Sequence, residues 1–250
     1  MVAVRLLRGA VPADPWNNPS TWSHWRDLLP HVLAATDTRR QLELAGDDVP
    51  WLLDRAGAYL HTRGEPGPAR PQYEGALTDY RRMLGEDHPK TLTSANNLAL
   101  DLGALGEYER ARQLHEDTFT RRRRVLGEDH PHTLASAGNL AADLGALGEY
   151  ERARQLEEDV LTRFRRVLGE DHPDTLISAG NLAADLGALG EYERARQLHE
   201  DTFTRRRRVL GEDHPDTLRS ANNLAADLAA LGEHERARQL EEYIRSHRRS

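Results

Sequence analysis

The sequence predicts an all-α protein built from stacked helical hairpins, and three observations lead to this fold class. A segment that begins GEDHP recurs every 42 residues, at Gly85, Gly127, Gly169 and Gly211. Between these segments, apolar residues recur at three- and four-residue steps, which is typical of helices with one buried face. Of the 250 residues, 30% are charged and 6% are aromatic. This composition suits stacked helices better than one large globular core.

The first 48 residues differ from the repeats and hold three of the four tryptophans, Trp16, Trp22 and Trp25. A helix that a preceding serine or threonine can cap is expected up to about Ala35. We interpret the tryptophans as a cap over the first hairpin, because large apolar side chains are mostly buried. The alternative is a docking surface for another domain. Residues 1–48 are therefore predicted to be a Trp-rich helical cap or linker.

Residues 49–250 are predicted to form an array of about five hairpins. A degenerate copy, in which Gly64 aligns with Gly106 and Ala69 with Ala111, precedes the regular copies. The hairpins are expected near residues 51–83, 92–126, 134–168, 176–210 and 218–247.

One repeat shows how each hairpin is expected to form. Apolar residues at three- and four-residue steps, including Leu102, predict a first helix with one buried stripe. A tight turn follows at Gly106. A longer second helix then ends at Gly127, because glycine favours helix termination and Pro131 cannot continue the helix. Thr133 is predicted to cap the next first helix. The GEDHP segment therefore lies in the loop between hairpins.

The GEDHP loops place acidic residues beside a histidine, so a metal site and a structural role are the two interpretations. A zinc site needs about four converging ligands, and no single loop supplies them. We favour the structural role, in which glycine ends one helix, acidic residues solvate the turn and proline begins the next helix. No cofactor, metal or catalytic residue is predicted, and the absence of cysteine excludes thiolate chemistry.

Successive second helices carry different residues at one position of the buried stripe: Tyr73, His115, Glu157 and His199. A catalytic role for the histidines is disfavoured, because a copy between them has glutamate instead. We predict that Glu157 makes ionic contacts with His or Arg side chains of neighbouring repeats. Such contacts would fix the order of stacking more than they would add stability.

Two runs of four arginines, Arg121–Arg124 and Arg205–Arg208, could suggest phosphate binding. Four consecutive helical residues point in four directions, however, and acidic residues lie close by in the sequence. We therefore predict solvated helices with local ion pairs. The net charge of −7 also disfavours a general nucleic-acid binder.

The motifs NNLA, LGEYERA and LGEDHP, at 42-residue spacing, resemble the kinesin-light-chain-like subtype of the tetratricopeptide repeat. The resemblance covers about Pro50 to the C-terminus and implies an α-solenoid, a right-handed superhelix of hairpins. The WNNPSTW and WLLDRAGAYLHTRGE segments look like the part of actinobacterial NB-ARC (STAND-type) regulators that precedes their C-terminal repeats. This likeness implies the sensor half of such a regulator, since the sequence has no GxxxxGK[ST] phosphate loop.

In the family that the repeats resemble, first helices line a concave groove, and an asparagine at the position of Asn97 often clamps a peptide backbone. Asn97 and Asp101 are expected to lie away from the core face of Leu98 and Leu102. The candidate peptide-binding residues are Asn97, Asp101, Asn139, Asp143, Asn181, Asp185, Asn223 and Asp227. The alternative is that these asparagines form hydrogen bonds between adjacent repeats, and the two roles can coexist.

The predicted function is a non-enzymatic scaffold that binds a peptide or partner helix in this groove. Two alternatives are the sensor half of a STAND-type ATPase and a self-associating repeat protein. No nucleic-acid or membrane partner is expected, because no segment approaches the ~20 apolar residues of a membrane helix. A cytoplasmic location is expected, since cysteine is absent and Arg5 and Arg8 interrupt the apolar start.

Overall fold

The computed structural model describes residues 2–16, 18–37 and 46–247, in which every regular element is helical. Residues 38–45, near the end of the predicted cap, and 248–250, at the end of the predicted array, lie outside the described residues. Before the array come α1 (Val2–Ala10), a 3-10 turn (Pro19–Thr21) and α2 (Trp22–Ala35). The array comprises α3 (Asp48–Thr62), α4 (Pro66–Leu84), α5 (Pro89–Ala104), α6 (Tyr108–Leu126), α7 (Pro131–Ala146), α8 (Tyr150–Leu168), α9 (Pro173–Ala188), α10 (Tyr192–Leu210), α11 (Pro215–Ala230) and α12 (His234–His247).

The chain divides into two compact units, residues 1–125 and 126–250. In the first unit, α1 and α2 pack on α3, and α4 packs on both α3 and α5. In the second unit, each helix from α7 to α12 packs on the next one, and α7 also contacts α9. From α7 to α12, helices adjacent in sequence are therefore adjacent in space, as expected for an array of hairpins.

A left-handed glycine closes the turn inside each hairpin. At the end of α5, Gly106 has φ +78° and the Glu107 amide donates to the Leu102 carbonyl at 2.9 Å. This bond satisfies one of the carbonyls that a helix end leaves unpaired. A side chain at this φ would be strained, which explains the recurring glycine. The turn at Gly106 is as predicted.

The first helices begin earlier than the sequence suggested, because the GEDHP histidine is the capping residue. Pro131 is the first residue of α7, and His130 Nδ1 accepts a hydrogen bond from the His132 amide at 3.1 Å. The prediction that Thr133 caps this helix is wrong, and the Thr133 side chain is fully buried. The same cap occurs at His88, His172 and His214.

Most of the predicted apolar stripe is buried. Leu98 and Leu102 of α5 pack in one cluster with Ala111, which is fully buried where α5 and α6 approach each other. Leu105 and Val125, in contrast, are exposed. Both lie at helix ends, where the backbone leaves the contact with the neighbouring helix.

The N-terminal tryptophans pack on the first hairpin. Trp25 is fully buried, stacks on Tyr59 of α3 with ring centroids 5.7 Å apart, and donates from Nε1 to the Pro12 carbonyl at 3.1 Å. Trp16 lies against His61, also of α3, with centroids 5.0 Å apart. Both rings thus contact α3, and the role of residues 1–48 as a cap stays a prediction.

Candidate functional site

In the first unit, the predicted Asn/Asp stripe joins one first helix to the next. Asn97 of α5 is buried, and its Nδ2 donates to Asp54 Oδ1 of α3 at 3.3 Å. Asp101, also on α5, is fully buried, with Oδ1 2.9 Å from His61 Nδ1 of α3. Asn97 therefore forms a hydrogen bond between adjacent repeats, as in the alternative interpretation, and Asp101 lies in the same contact between α5 and α3.

In the second unit, the stripe comprises Asn139 and Asp143 on α7, Asn181 and Asp185 on α9, and Asn223 and Asp227 on α11. The three asparagines and Asp185 are half-buried, whereas Asp143 and Asp227 are buried. Asp227 Oδ2 lies 2.5 Å from His199 Nδ1 of α10. The stripe is thus more accessible here than in the first unit, chiefly at its asparagines.

Glu157 of α8 is fully buried and forms two hydrogen bonds with α9. The Ser178 hydroxyl donates to Oε2 at 2.7 Å, and the Asn181 amide donates to Oε1 at 3.2 Å. Both partners are neutral, so the predicted ionic contact with His or Arg is wrong. The contact nevertheless joins neighbouring hairpins, and it fits the alternative in which an asparagine of the stripe forms a hydrogen bond between repeats.

Burial raises the pKa of Glu157 to about 7. The hydrogen bonds from Ser178 and Asn181 oppose this rise, and the negative charge of Asp185 adds to it. Burial also raises the pKa of Asp185 to about 6. Both effects have one cause, since removing a carboxylate from water penalises its charged form.

Asp185 differs from Asp101 and Asp227 in having no side-chain hydrogen bond or ion pair among the described residues. Asp101 has His61 and Asp227 has His199. Gly145 occupies the position that corresponds to His61. A Cβ atom at this glycine would lie 3.2 Å from Asp185 Oδ1. The His199 counterpart on α8 is Glu157. Two acidic groups therefore face this interface, and the histidines found elsewhere are missing.

A cavity of about 160 Å³ lies beside Glu157, between the first helices α7 and α9, with α8 behind it. We call it the Glu157 cavity, and its lining includes Gly138, Asn139, Glu157, Phe164, Ser178 and Asn181. Two predicted site residues, Asn139 and Asn181, thus meet at one place. Ile177, which also contributes to the lining, is 46% exposed and marks the open side.

Sequence reasoning placed Glu157 on the buried stripe but missed its role in this cavity. The available signal was the alternation between histidine and glutamate at one position of nearly identical copies. The cavity itself was not visible, since it requires α7, α8 and α9 to meet in space.

The arginine runs form ion pairs along the array, as predicted, and the pairs reach beyond one helix. Arg205 Nε donates to Asp201 Oδ2, four residues earlier, at 2.8 Å, and Nη1 donates to Asp171 Oδ1 at 3.0 Å. Asp171 belongs to the preceding GEDHP loop, and Arg208 also contacts it, at 2.6 Å. The Arg208 and Arg205 guanidiniums lower the pKa of Asp171. The loops therefore help to hold successive hairpins together.

The described residues contain no group of three or more His, Cys, Asp or Glu side chains that could hold a metal ion. None of the described helices is both long enough and apolar enough to cross a membrane. In the second unit, two of the half-buried asparagines of the stripe line the Glu157 cavity, and a separate cavity of about 530 Å³ lies between α8 and α10.

The described helices define the chain as an α-solenoid, in which helical hairpins stack and each contacts its neighbours. The sequence matches the tetratricopeptide repeat model at residues 51–90, 91–132, 133–174, 175–216 and 217–250. The chain therefore belongs to the tetratricopeptide repeat family, whose members generally serve as scaffolds for protein interaction. No curated protein matches the sequence significantly.

Solved structures show that the repeats are of the kinesin-light-chain-like kind. A putative kinesin light chain of Podosopora anserina with nearly identical TPR-like repeats is 28% identical, with a TM-score of 0.65. The similarity covers 78% of this chain and 92% of that one. BtubC (BKLC) from P. vanneervenii shares 18% identity and a TM-score of 0.68, over 99% of this chain and 91% of that one.

The fold is also similar to the apo form of RapI, at 16% identity and a TM-score of 0.71. The similarity covers 98% of this chain and 64% of RapI. At such identity, RapI and BtubC show the shared fold alone.

Proposed function

We propose that this chain is a non-enzymatic scaffold that binds an extended peptide of a partner protein on its first-helix face. The first-helix face is the surface that α7, α9 and α11 present in the second unit. Family membership supports the general role in protein interaction. The stripe of asparagines supports the location, because an amide offers a donor and an acceptor to a peptide group.

The observation that carries the proposal is the meeting of Asn139 and Asn181 at the Glu157 cavity. These residues lie one repeat apart on α7 and α9, and both are half-buried. Two amides on neighbouring first helices can each hold one peptide group of an extended chain that crosses both helices. Asn223 continues the row on α11 and is also half-buried.

The proposed roles of the other stripe residues follow from their surroundings. Asn97 and Asp101 hold α5 against α3, and Asp227 holds α11 against α10, so these three support the array. Asp143 is buried and is assigned to the same supporting role. Asp185 is half-buried beside the cavity and is assigned to the binding face.

A peptide-display selection tests the proposal. Random extended peptides are selected against the wild-type chain, and their affinities are then measured for the N139A/N181A variant. Each lost hydrogen bond is worth about 1 kcal/mol, so the double variant should bind the selected peptides about tenfold more weakly or worse. Circular dichroism checks that the variant keeps its helices.

The matched control removes two exposed amides, one repeat apart, from the second helices. Gln155 of α8 and Gln197 of α10 fulfil this condition. The Q155A/Q197A variant should bind the selected peptides as the wild type does. Equal binding by the wild type and N139A/N181A, or a selection that yields no peptide, would contradict the proposal.

The wider context stays a prediction. The sensor role in a STAND-type regulator, the likeness to actinobacterial regulators and a cytoplasmic location are predictions from the sequence. Self-association also stays a prediction, and light scattering at increasing concentration would test it.

A further inference from the structure

The second helices of two neighbouring hairpins, α8 and α10, are nearly the same sequence in the same fold. Both have nineteen residues. They differ at four positions, where α8 has Glu157, Val160, Leu161 and Phe164, and α10 has His199, Thr202, Phe203 and Arg206. All eight residues are buried. Helices α8 and α10 therefore allow a comparison, within one chain, of different side chains at the same four buried positions.

In the α10/α11 interface, the second helix supplies the basic groups. His199 Nδ1 lies 2.5 Å from Asp227 Oδ2. Arg206 Nη1 donates to Ser220 Oγ at 2.8 Å, in a buried hydrogen bond. Two basic side chains of α10 thus face the serine and the aspartate of α11.

The α8/α9 interface keeps the serine and the aspartate but lacks both basic groups. Ser178 and Asp185 are the counterparts of Ser220 and Asp227, one repeat earlier. Ser178 donates to Glu157 instead of accepting from an arginine. Phe164 occupies the place of Arg206. Among the described residues of this interface, no cation pairs with Glu157 or Asp185.

The Glu157 cavity opens at this interface, and its chemistry suits a cation. Its lining includes Glu157, the buried Phe164, and both Asn139 and Asn181. Each oxygen of Glu157 accepts one hydrogen bond and can accept another. Within the described chain, the lining contains no Lys, Arg or His.

We propose that the Glu157 cavity binds the guanidinium group of an arginine side chain of the partner peptide. This inference rests on the proposed function and names the chemical class of the partner segment. The partner would thereby supply the cation that α10 supplies to α11 from within the chain.

Arginine fits the cavity better than lysine for three reasons. Its planar guanidinium can donate two parallel hydrogen bonds to one carboxylate. It also stacks favourably on an aromatic ring, and Phe164 provides that ring. The α10/α11 interface, finally, already accommodates a buried guanidinium beside Ser220.

The other charged groups around the cavity also favour a cationic ligand. On α9, Asp174 contributes to the lining, and Asp185 lies one turn beyond Asn181. From α7, the lining residues are Ala135, Gly138 and Asn139, which carry no charge. A bound cation therefore faces negative groups from α8 and α9 and no competing cation in the lining.

Binding should depend on pH, because an arginine pairs with the ionised form of Glu157. Burial raises the pKa of Glu157 to about 7, so the unliganded carboxyl is mainly protonated at pH 6 and mainly ionised at pH 8. Affinity for a guanidinium should therefore rise between pH 6 and pH 8.

The test uses two peptides that differ in charge but hardly in shape. One is acetyl-Ala-Ala-Arg-Ala-Ala-amide, and the other has citrulline, a neutral isostere, in place of arginine. At pH 8, the arginine peptide should shift the backbone amide resonances of Gly138, Asn139 and Ser178 in two-dimensional NMR. The citrulline peptide should bind at least about tenfold more weakly, as expected for loss of a buried charge pair.

Two variants make the result specific to the cavity. E157Q should lose the preference for arginine over citrulline and the rise in affinity with pH. The variant E157H/V160T/L161F/F164R gives α8 the sequence of α10, a helix that packs in this array, and it should bind neither peptide at the cavity.

Three results would overturn the proposal: no shift at the cavity residues, equal binding of arginine and citrulline peptides, or an unchanged arginine preference in E157Q. Failure here is distinguishable from failure of the proposed function. Selected peptides that depend on Asn139 and Asn181 but not on an arginine would preserve the scaffold role and refute the arginine site.

Discussion

In the α10/α11 interface, Asp227 lies against His199 and Ser220 against Arg206. In the α8/α9 interface, the corresponding serine donates to Glu157, and Asp185 has no ionic partner among the described residues. Both interfaces are formed by equivalent helices, one repeat apart, and equivalent loops connect those helices. The difference lies in four buried residues of the second helix, which decide whether the interface contains its own basic side chains.

The features that hold the hairpins together are common to both regions. Arg205 bridges Asp201 of its own helix and Asp171 of the preceding loop, and Arg163 bridges Asp159 and Asp129 in the same way. Because stacking is secured by these shared features, the buried polar position can vary between copies. Variation at that position is therefore available for function.

The largest expected effect comes from removing the histidine of the α10/α11 interface. H199A leaves Asp227 buried without its partner and should reduce the free energy of unfolding by about 3 kcal/mol. Urea unfolding followed by circular dichroism measures this value. H234A, at an exposed histidine on α12, is the control and should change stability little. A loss below about 1 kcal/mol in H199A would mean that the contact does not stabilise the interface.

Glu157 occupies the equivalent position of α8, and its ionised form should destabilise the folded chain. The pKa of Glu157 is about 7 in the folded chain, against an ordinary value of 4.5 for glutamate, so the folded state binds more protons between these pH values. The free energy of unfolding therefore falls as pH rises from about 4.5 to above 7. Such a difference in pKa corresponds to about 3 kcal/mol at most.

E157Q removes this titration, so it should gain stability relative to the wild type as pH rises, with little difference at pH 4. Urea unfolding at pH 4, 6 and 8 measures the trend. E151Q, at an exposed glutamate of the same helix, should not reproduce it. A constant difference between E157Q and the wild type across this range would refute the buried, uncompensated carboxyl.

A smaller effect is expected from the histidine caps, which both regions share. His214 Nδ1 accepts from the Asp216 amide at 3.2 Å at the start of α11. H214A should cost about 1 kcal/mol, the usual value of an N-cap, whereas H214N should retain most of it. Thermal unfolding of both variants checks this. An equal loss in H214N and H214A would show that the side-chain bond is unimportant.

Much of the fold could be predicted from the sequence, because its determinants are local. The 42-residue period, the turn glycine Gly106 and the helix-starting Pro131 each act within a few residues of the chain. The cap was misassigned to Thr133, since a histidine acceptor at this position is unusual beside the common Ser, Thr, Asp and Asn caps. The helix starts shifted by three residues as a result.

The site could be predicted only in part, because its contacts join different hairpins. The period identified Asn139 and Asn181 as equivalent residues but could not show that they line one cavity. It also could not show that Asn97 and Asp101 turn toward α3, where Asp54 and His61 lie. Such pairings depend on how far apart the helices of different hairpins lie, and the sequence of a single repeat does not give that distance.

The most direct test of the central claim is a residue-specific titration of the Glu157 carboxyl carbon by NMR. Without peptide, the midpoint should lie near pH 7, because no cation compensates its burial. Saturation with acetyl-Ala-Ala-Arg-Ala-Ala-amide should lower the midpoint, whereas the citrulline peptide should leave it unchanged. A midpoint near 4.5 without peptide, or one that the arginine peptide does not move, would contradict the claim that this interface takes its cation from a partner.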